Sequence, residues 1–223
     1  MKQQINTKYI YLSHIIDEKT PTYGNRDSFL SEAKSEISNG DSSNSSKWIF
    51  TTNHLGTHID VPNHFISKGK KIDDYLADSW VFNKIQLINV PCTGAKLIDE
   101  EVRDYLFSEY VELIIIKTGF EYFRNQEIYW KNNPGLSHKL ADYLKNKYPK
   151  LRAIGFDFIS LTSFEFRDEG KKSHYSFLNS PRELLIIEDM MLKELQKDPE
   201  EVIILPVRIK NGNGAPVTII AKL

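Results

Sequence analysis

The stretch from His54 to His64, HLGTHIDVPNH, restricts this chain more than any other feature. Positions 54, 56, 58, 60, 62 and 64 are His, Gly, His, Asp, Pro and His, so three of the chain's 6 histidines fall in one short segment. A helix is a poor host, because Gly56, Thr57, Ile59, Val61 and Pro62 are weak helix formers or breakers. Extended backbone instead puts every even position on one face. A straight strand, however, separates residues four apart by roughly 13 Å, whereas the ligands of one ion sit about 2.0–2.2 Å from it. The imidazoles of His54 and His58 can meet only if the chain bends, and Gly56 permits the bend. Pro62 lacks a backbone donor and keeps the segment from being an ordinary central strand. The segment therefore reads as a kinked strand-to-loop passage that aims several side chains into one pocket. Imidazole nitrogen and carboxylate oxygen without thiolate suit Zn, Mn or Fe, while calcium would want mostly oxygen. The bland alternative is three capping or solvated loop histidines; alternation of three histidines with an aspartate favours metal chemistry.

Around this segment the pattern is that of one mixed α/β (α+β) domain spanning 1–223 with a mixed central sheet. Strands are predicted at 9–15, 47–54, 84–90, 111–118, 152–161, 183–189, 201–209 and 216–223. The run VELIIIKT at 111–118 is nearly continuous, as expected of a strand covered on both faces. Helices are predicted in LIDEEVRDYLF and in LSHKLADYLKNKYP (136–149), the latter with Leu136, Leu140 and Leu144 on one stripe. KNGNGA before the last strand signals a hairpin turn. Residues 26–47, rich in Ser, Asn and Gly, read as an exposed loop, long enough to be a mobile flap. With 29 Lys and Arg against 30 Asp and Glu, charge gives no reason to expect nucleic acid or an anionic membrane as partner. A single cysteine, Cys92, excludes an intrachain disulfide and fits a cytoplasmic setting. No long apolar run marks a secretory signal in MKQQINTKYIYLSHIID or a spanning helix elsewhere. Taken alone, His174 sits in a polar loop (EGKKSHYS), Glu188 ends a strand with Arg182 as its ordinary partner, and His14 and His138 are isolated.

HLGTHIDVPNHF resembles, without a mismatch, the HxGTHxDxPxHF signature of the metal-dependent hydrolase family labelled "putative cyclase", which includes bacterial kynurenine formamidases and isatin hydrolases. YLSHIIDEKTPTYG (11–24), IIIKTGF (114–120), AIGFDFISL (153–161) and SHYSFLNSPRELLIIED (173–189) are similar to further family stretches in the same order. The resemblance implies a swivelling β/β/α-like fold and one or two divalent ions per subunit, zinc first and manganese as the alternative. It implies His54, His58 and Asp60 as ligands, with Asp60 able to bridge, and His174 and Glu188 completing a second position. His64 would be an unbound proton shuttle, consistent with the fact that only a free imidazole near pKa 6.5 exchanges protons. Tyr23 would contact substrate. The implied activity is hydrolysis of a small aromatic formamide or lactam by metal-activated water, with lactones or polyketide-like rings as alternatives, in a homodimer or homotetramer. A metal-holding relative without catalysis is the rival from another class.

Overall fold

Apolar runs of strand length build the sheet that positions everything else. The computed structural model describes residues 9–223; residues 1–8, where the N-terminal stretch read above begins, lie outside the described residues. In chain order the first strands are β1 (Tyr9–Tyr11), β2 (Phe29–Ser35), β3 (Ser45–Phe50), β4 (His58–Asp60), β5 (Val81–Phe82) and β6 (Ile85–Asn89). Next come β7 (Leu97–Ile98), α1 (Glu100–Arg103), β8 (Leu113–Lys117), α2 (Ile128–Lys131), β9 (Gly135–Leu136) and α3 (His138–Lys147). The chain finishes with β10 (Ala153–Phe156), α4 (Arg167–Leu178), β11 (Leu185–Glu188), β12 (Glu201–Pro206) and β13 (Gly214–Lys222).

The large sheet runs β5-β12-β13-β4-β11-β10-β8-β6, with β1 also paired to β13. Strands β6, β8, β10 and β11 are parallel. Strand β4 lies antiparallel to both β11 and β13 and joins this parallel half to the antiparallel strands. The fold is thus mixed α/β around one mixed sheet, as the sequence pattern predicts. In β8, Ile114 and Ile116 face a core shared with Leu140, Leu144 and Phe177 of the helices. Leu113 and Ile115 face the opposite core, shared with Val202, Ile204 and Ile219. Burial on both faces explains why these strands read as unbroken apolar runs. Helix α3 starts where the Ser137 hydroxyl accepts the Lys139 N–H at 3.2 Å, and it buries Leu140, Ala141 and Leu144. Truncating Leu144 to Ala would cost about 2–5 kcal/mol.

Two expectations need correction. Residues 26–47 are not a loop: β2 and β3 form an antiparallel hairpin across Phe29–Phe50. Its strands are exposed on both faces except near Phe29, which packs on Trp48 and Phe50 at ring distances of 6.5 and 5.0 Å. Without a buried face there is no apolar alternation to read. The helix expected over LIDEEVRDYLF shrinks to the single turn α1, because Leu97–Ile98 pair as β7 with β9 and only Val102 of the turn is buried.

Candidate functional site

Beyond β3 the chain bends at Gly56, whose φ of 62° lies in the left-handed region, and a Cβ there would press on Ile16 and Thr20 at 3.3 and 3.4 Å. The bend swings His54 back over the sheet. Space for its ring exists because Gly214 has no side chain; a Cβ there would come within 2.5 Å of His54 Cε1. Strand β4 then sets His58 opposite Glu188 of β11, and alternation puts Asp60 on the same face as His58. Pro62 opens a 3-10 turn that returns His64 over Asp60, with the His64 N–H donating to the Val61 carbonyl at 2.9 Å. His174 is not in a loop. It lies on α4, buried among Gly170, Ser173, Phe177 and Leu178, and that helix packs against α3 and β11.

All five residues proposed as ligands in the sequence reading meet here, with His64 beside them. His58 Nε2 lies 3.3 Å from Glu188 Oε2 and 3.7 Å from Asp60 Oδ1. His174 Nε2 lies 3.5 Å from both Glu188 Oε1 and Asp60 Oδ2. His54 Nδ1 is 2.7 Å from Asp60 Oδ1, and His64 Nε2 is 3.9 Å from Asp60 Oδ2. The His54 and His64 rings stack at 4.0 Å. Backbone groups orient the inner members: His58 Nδ1 donates to the Gly56 carbonyl at 2.8 Å, and His174 Nδ1 to the Gly170 carbonyl at 3.0 Å. With the proton held on Nδ1, each Nε2 points its lone pair inward when the ring is neutral. Glu188 is fixed by the Leu161 N–H at 2.6 Å. Arg182, its expected ordinary partner, instead donates to the Lys145 carbonyl.

The electrostatics fit a cation. Asp60 and Glu188 are 1% and 3% exposed, and no Lys or Arg among the described residues pairs with either. Asp60 Oδ2 is buried without a hydrogen-bond partner, a costly arrangement for a charged oxygen. Burial opposes ionisation of Asp60, yet His64 and His54 nearby hold it well below the usual carboxylate range. Burial likewise opposes charging His58 and His174, but Glu188 and Asp60 outweigh it and push them up to about 9 and about 10. Two buried carboxylates therefore demand about two positive charges, which either two imidazoliums or one divalent ion can supply. Two clusters that could each hold an ion share Asp60: His54, Asp60 and His64 on one side, and His58, Asp60 and Glu188 on the other. Burial pushes the His64 ring down to about 4, so it is neutral at pH 7.

Above this floor opens a cavity of about 470 Å³ lined by Tyr23, Phe65 and Ile159, with Arg26, Arg167 and Lys171 at the rim. Tyr23, the expected substrate contact, faces it. Trp80, by contrast, is buried in the sheet core, and Trp48 is exposed on the hairpin.

Behind the floor lies a network that the sequence reading missed. Asp189 follows Glu188 with a φ of 54° and is 1% exposed. Its carboxylate takes a bidentate grip from Arg124 Nε and Nη2 at 2.9 and 2.7 Å and a hydrogen bond from Tyr129 at 2.5 Å. Thr57, next to His58, donates its hydroxyl to the Asp189 carbonyl at 2.5 Å and accepts the His14 N–H at 2.9 Å. His14 is thus not isolated: its Nε2 is 4.0 Å from Asp189. His138 is not isolated either, since Glu169 accepts from its Nδ1 at 2.5 Å. The sequence signal for the clamp was the second acid in IIED, a buried charge at a strand end that needed a partner.

The family model described as "putative cyclase" matches residues 10–162. A kynurenine formamidase of Bacillus thuringiensis (strain Al Hakam) is 27% identical over 166 residues, covering 74% of this chain and 73% of its own. Isatin hydrolase A from Labrenzia aggregata superposes with a TM-score of 0.80 at 18% identity, over 96% of this chain and 93% of its own. A structure described as a potential metal-dependent hydrolase with cyclase activity gives 0.73 at 18% identity, over 96% of each chain.

Proposed function

This chain belongs to the "putative cyclase" family of hydrolases, and from that premise we propose that it cleaves the amide C–N bond of a small aromatic formamide or lactam in a metal-dependent reaction. The observation that carries this reading is the meeting of His58, His174, Asp60 and Glu188 at 3.3–3.7 Å beneath an open cavity. A divalent ion is supported by the His and Asp groups and by the metal-dependent hydrolase fold neighbour. Its ligands would be His54, His58, Asp60, His174 and Glu188, with Asp60 shared if two ions bind. Imidazole-rich coordination favours zinc, with manganese second. When bound, such an ion lowers the pKa of coordinated water towards 7 and supplies a nucleophile at neutral pH.

The chain's own residues do the rest. His64, outside the proposed ligand set and partly open to solvent, takes the proton released as the nucleophile attacks and hands it to the departing amine, although burial lowers its pKa to about 4 and so weakens it as a base. Tyr23 and Phe65 hold an aromatic substrate by ring contact. The kynurenine formamidase and isatin hydrolase likenesses favour open formamides and ring amides respectively. Among the described residues no helix is long and apolar enough to cross a membrane. The lone free thiol, Cys92, fits a cytoplasmic protein. The hairpin leaves Leu30 and Trp48 exposed and offers a contact for a homodimer or homotetramer.

The test pairs metal analysis with turnover of aromatic formamides and lactams. Stoichiometric metal and hydrolysis abolished by complete chelation are expected. Undiminished hydrolysis after chelation would overturn the metal-dependent reading.

A further inference from the structure

Arg103, Arg124 and Arg152 each hold an acid, at 2.5, 2.7 and 3.6 Å. Arg26 and Arg167, both exposed on the cavity rim, have no carboxylate partner among the described residues. They are held by rings instead. Arg167 Cζ lies 3.9 Å over Phe164, Phe164 packs on Tyr23 at 5.6 Å, and Arg26 Cζ lies 5.9 Å over Tyr23. Gly24, with φ 69°, makes the stack compact: a Cβ there would approach Arg26 Nε at 3.1 Å and Phe164 Cε2 at 3.3 Å. A guanidinium held by its face keeps its N–H edge free for an anion.

The stack and the floor share one cavity, since Tyr23, Arg26 and Arg167 line it together with Glu188, and Arg167 lies close enough to the Tyr23 hydroxyl to interact with it. Lys171 adds a third cation to the same rim, 3.5 Å from Asp168. Asp27 is the rim's acid, and its carboxylate accepts the Thr51 hydroxyl at 3.1 Å. The cavity therefore presents, beside an aromatic wall, two guanidiniums that have no carboxylate partner among the described residues.

We propose that Arg26 and Arg167 bind a carboxylate carried by the substrate, so that the preferred substrates are aromatic amides bearing an acid group. This rests on the amide-hydrolase reading for the word substrate but not for the binding itself. Positioned by its carboxylate at the rim and its ring against Tyr23, such a molecule would hang its amide over the floor.

Titration calorimetry on the metal-loaded protein with benzoate and benzamide tests the binding. Charge-assisted hydrogen bonds predict benzoate binding roughly tenfold or more tighter. In R26A/R167A that ratio should fall to about one, and R167K should retain only part of it. Turnover of 2-formamidobenzoate against its methyl ester should show the same preference and the same collapse, seen in KM more than kcat. Benzoate that binds R26A/R167A as tightly as wild type would place the carboxylate on the ion and overturn the proposal. Equal use of acid and ester by the wild type would overturn it while leaving the hydrolase reading intact. Arginine-dependent benzoate binding without any hydrolysis would uphold it and sink the hydrolase reading.

Discussion

Glu188 and Asp189 are adjacent, acidic and buried, yet the molecule treats them in opposite ways. Asp189 is locked to a permanent cation, Arg124, and to Tyr129. Among the described residues, Glu188 and its companion Asp60 have only imidazoles as cationic partners, and that charge can be surrendered. Another buried acid, Glu121, has neither: one oxygen accepts the Leu192 N–H at 2.7 Å and the other has no hydrogen-bond partner. The difference separates a carboxylate that holds the fold together from one arranged to receive an exchangeable cation. A guanidinium partner would have closed the site permanently.

The sharpest way to break this contrast is Asp60→Asn or Glu188→Gln. Either should abolish stoichiometric metal and drop turnover to background while circular dichroism still shows a folded chain. Retention of full metal would mean the floor is not a cation site. Next, His64→Ala should keep its metal and lose about 10²–10⁴ in kcat; metal analysis beside steady-state kinetics separates a shuttle from a ligand. Asp189→Asn, which tolerates a positive φ, leaves Arg124 underpartnered and should destabilise the fold by about 3–5 kcal/mol in urea. Metal per folded molecule should stay near wild type. The reverse outcome, full stability and lost metal, would erase the distinction.

Glu121 gives the smallest effect. Burial, reinforced by Asp157, pushes its carboxyl up to about 7 from 4.5. The folded state then binds more protons than the unfolded state between those values, so stability falls as pH rises through that window. Glu121→Gln removes this dependence. Its Tm should exceed wild type by a few degrees at pH 8, and the gap should close towards pH 5. An identical gap at both pH values would show that Glu121 does not titrate there.

The floor was legible because its logic is local. Gly56, the alternation to His64 and the apolar run before Glu188 each announce a kink, a face and a strand end. His174 was harder to place: α4 reads RDEGKKSHYSFL, and its buried stripe of Gly170, Ser173, His174, Phe177 and Leu178 relies on small residues that carry little hydrophobic signal. The hairpin lacked a buried face altogether. Arg124 was illegible for another reason: its bond to Asp189 spans 65 positions, and nothing local marks which distant acid a lone arginine will meet.

Strand β4 is three residues long and is flanked on both sides, by β11 and by β13. A one-residue slip would turn His58 and Asp60 away together, so this part of the protein has almost no room to drift during evolution. The stack around Tyr23 has no such anchor in the sheet. Descendants of this chain could change their diet by trading arginines at the entrance while passing on the inherited floor untouched.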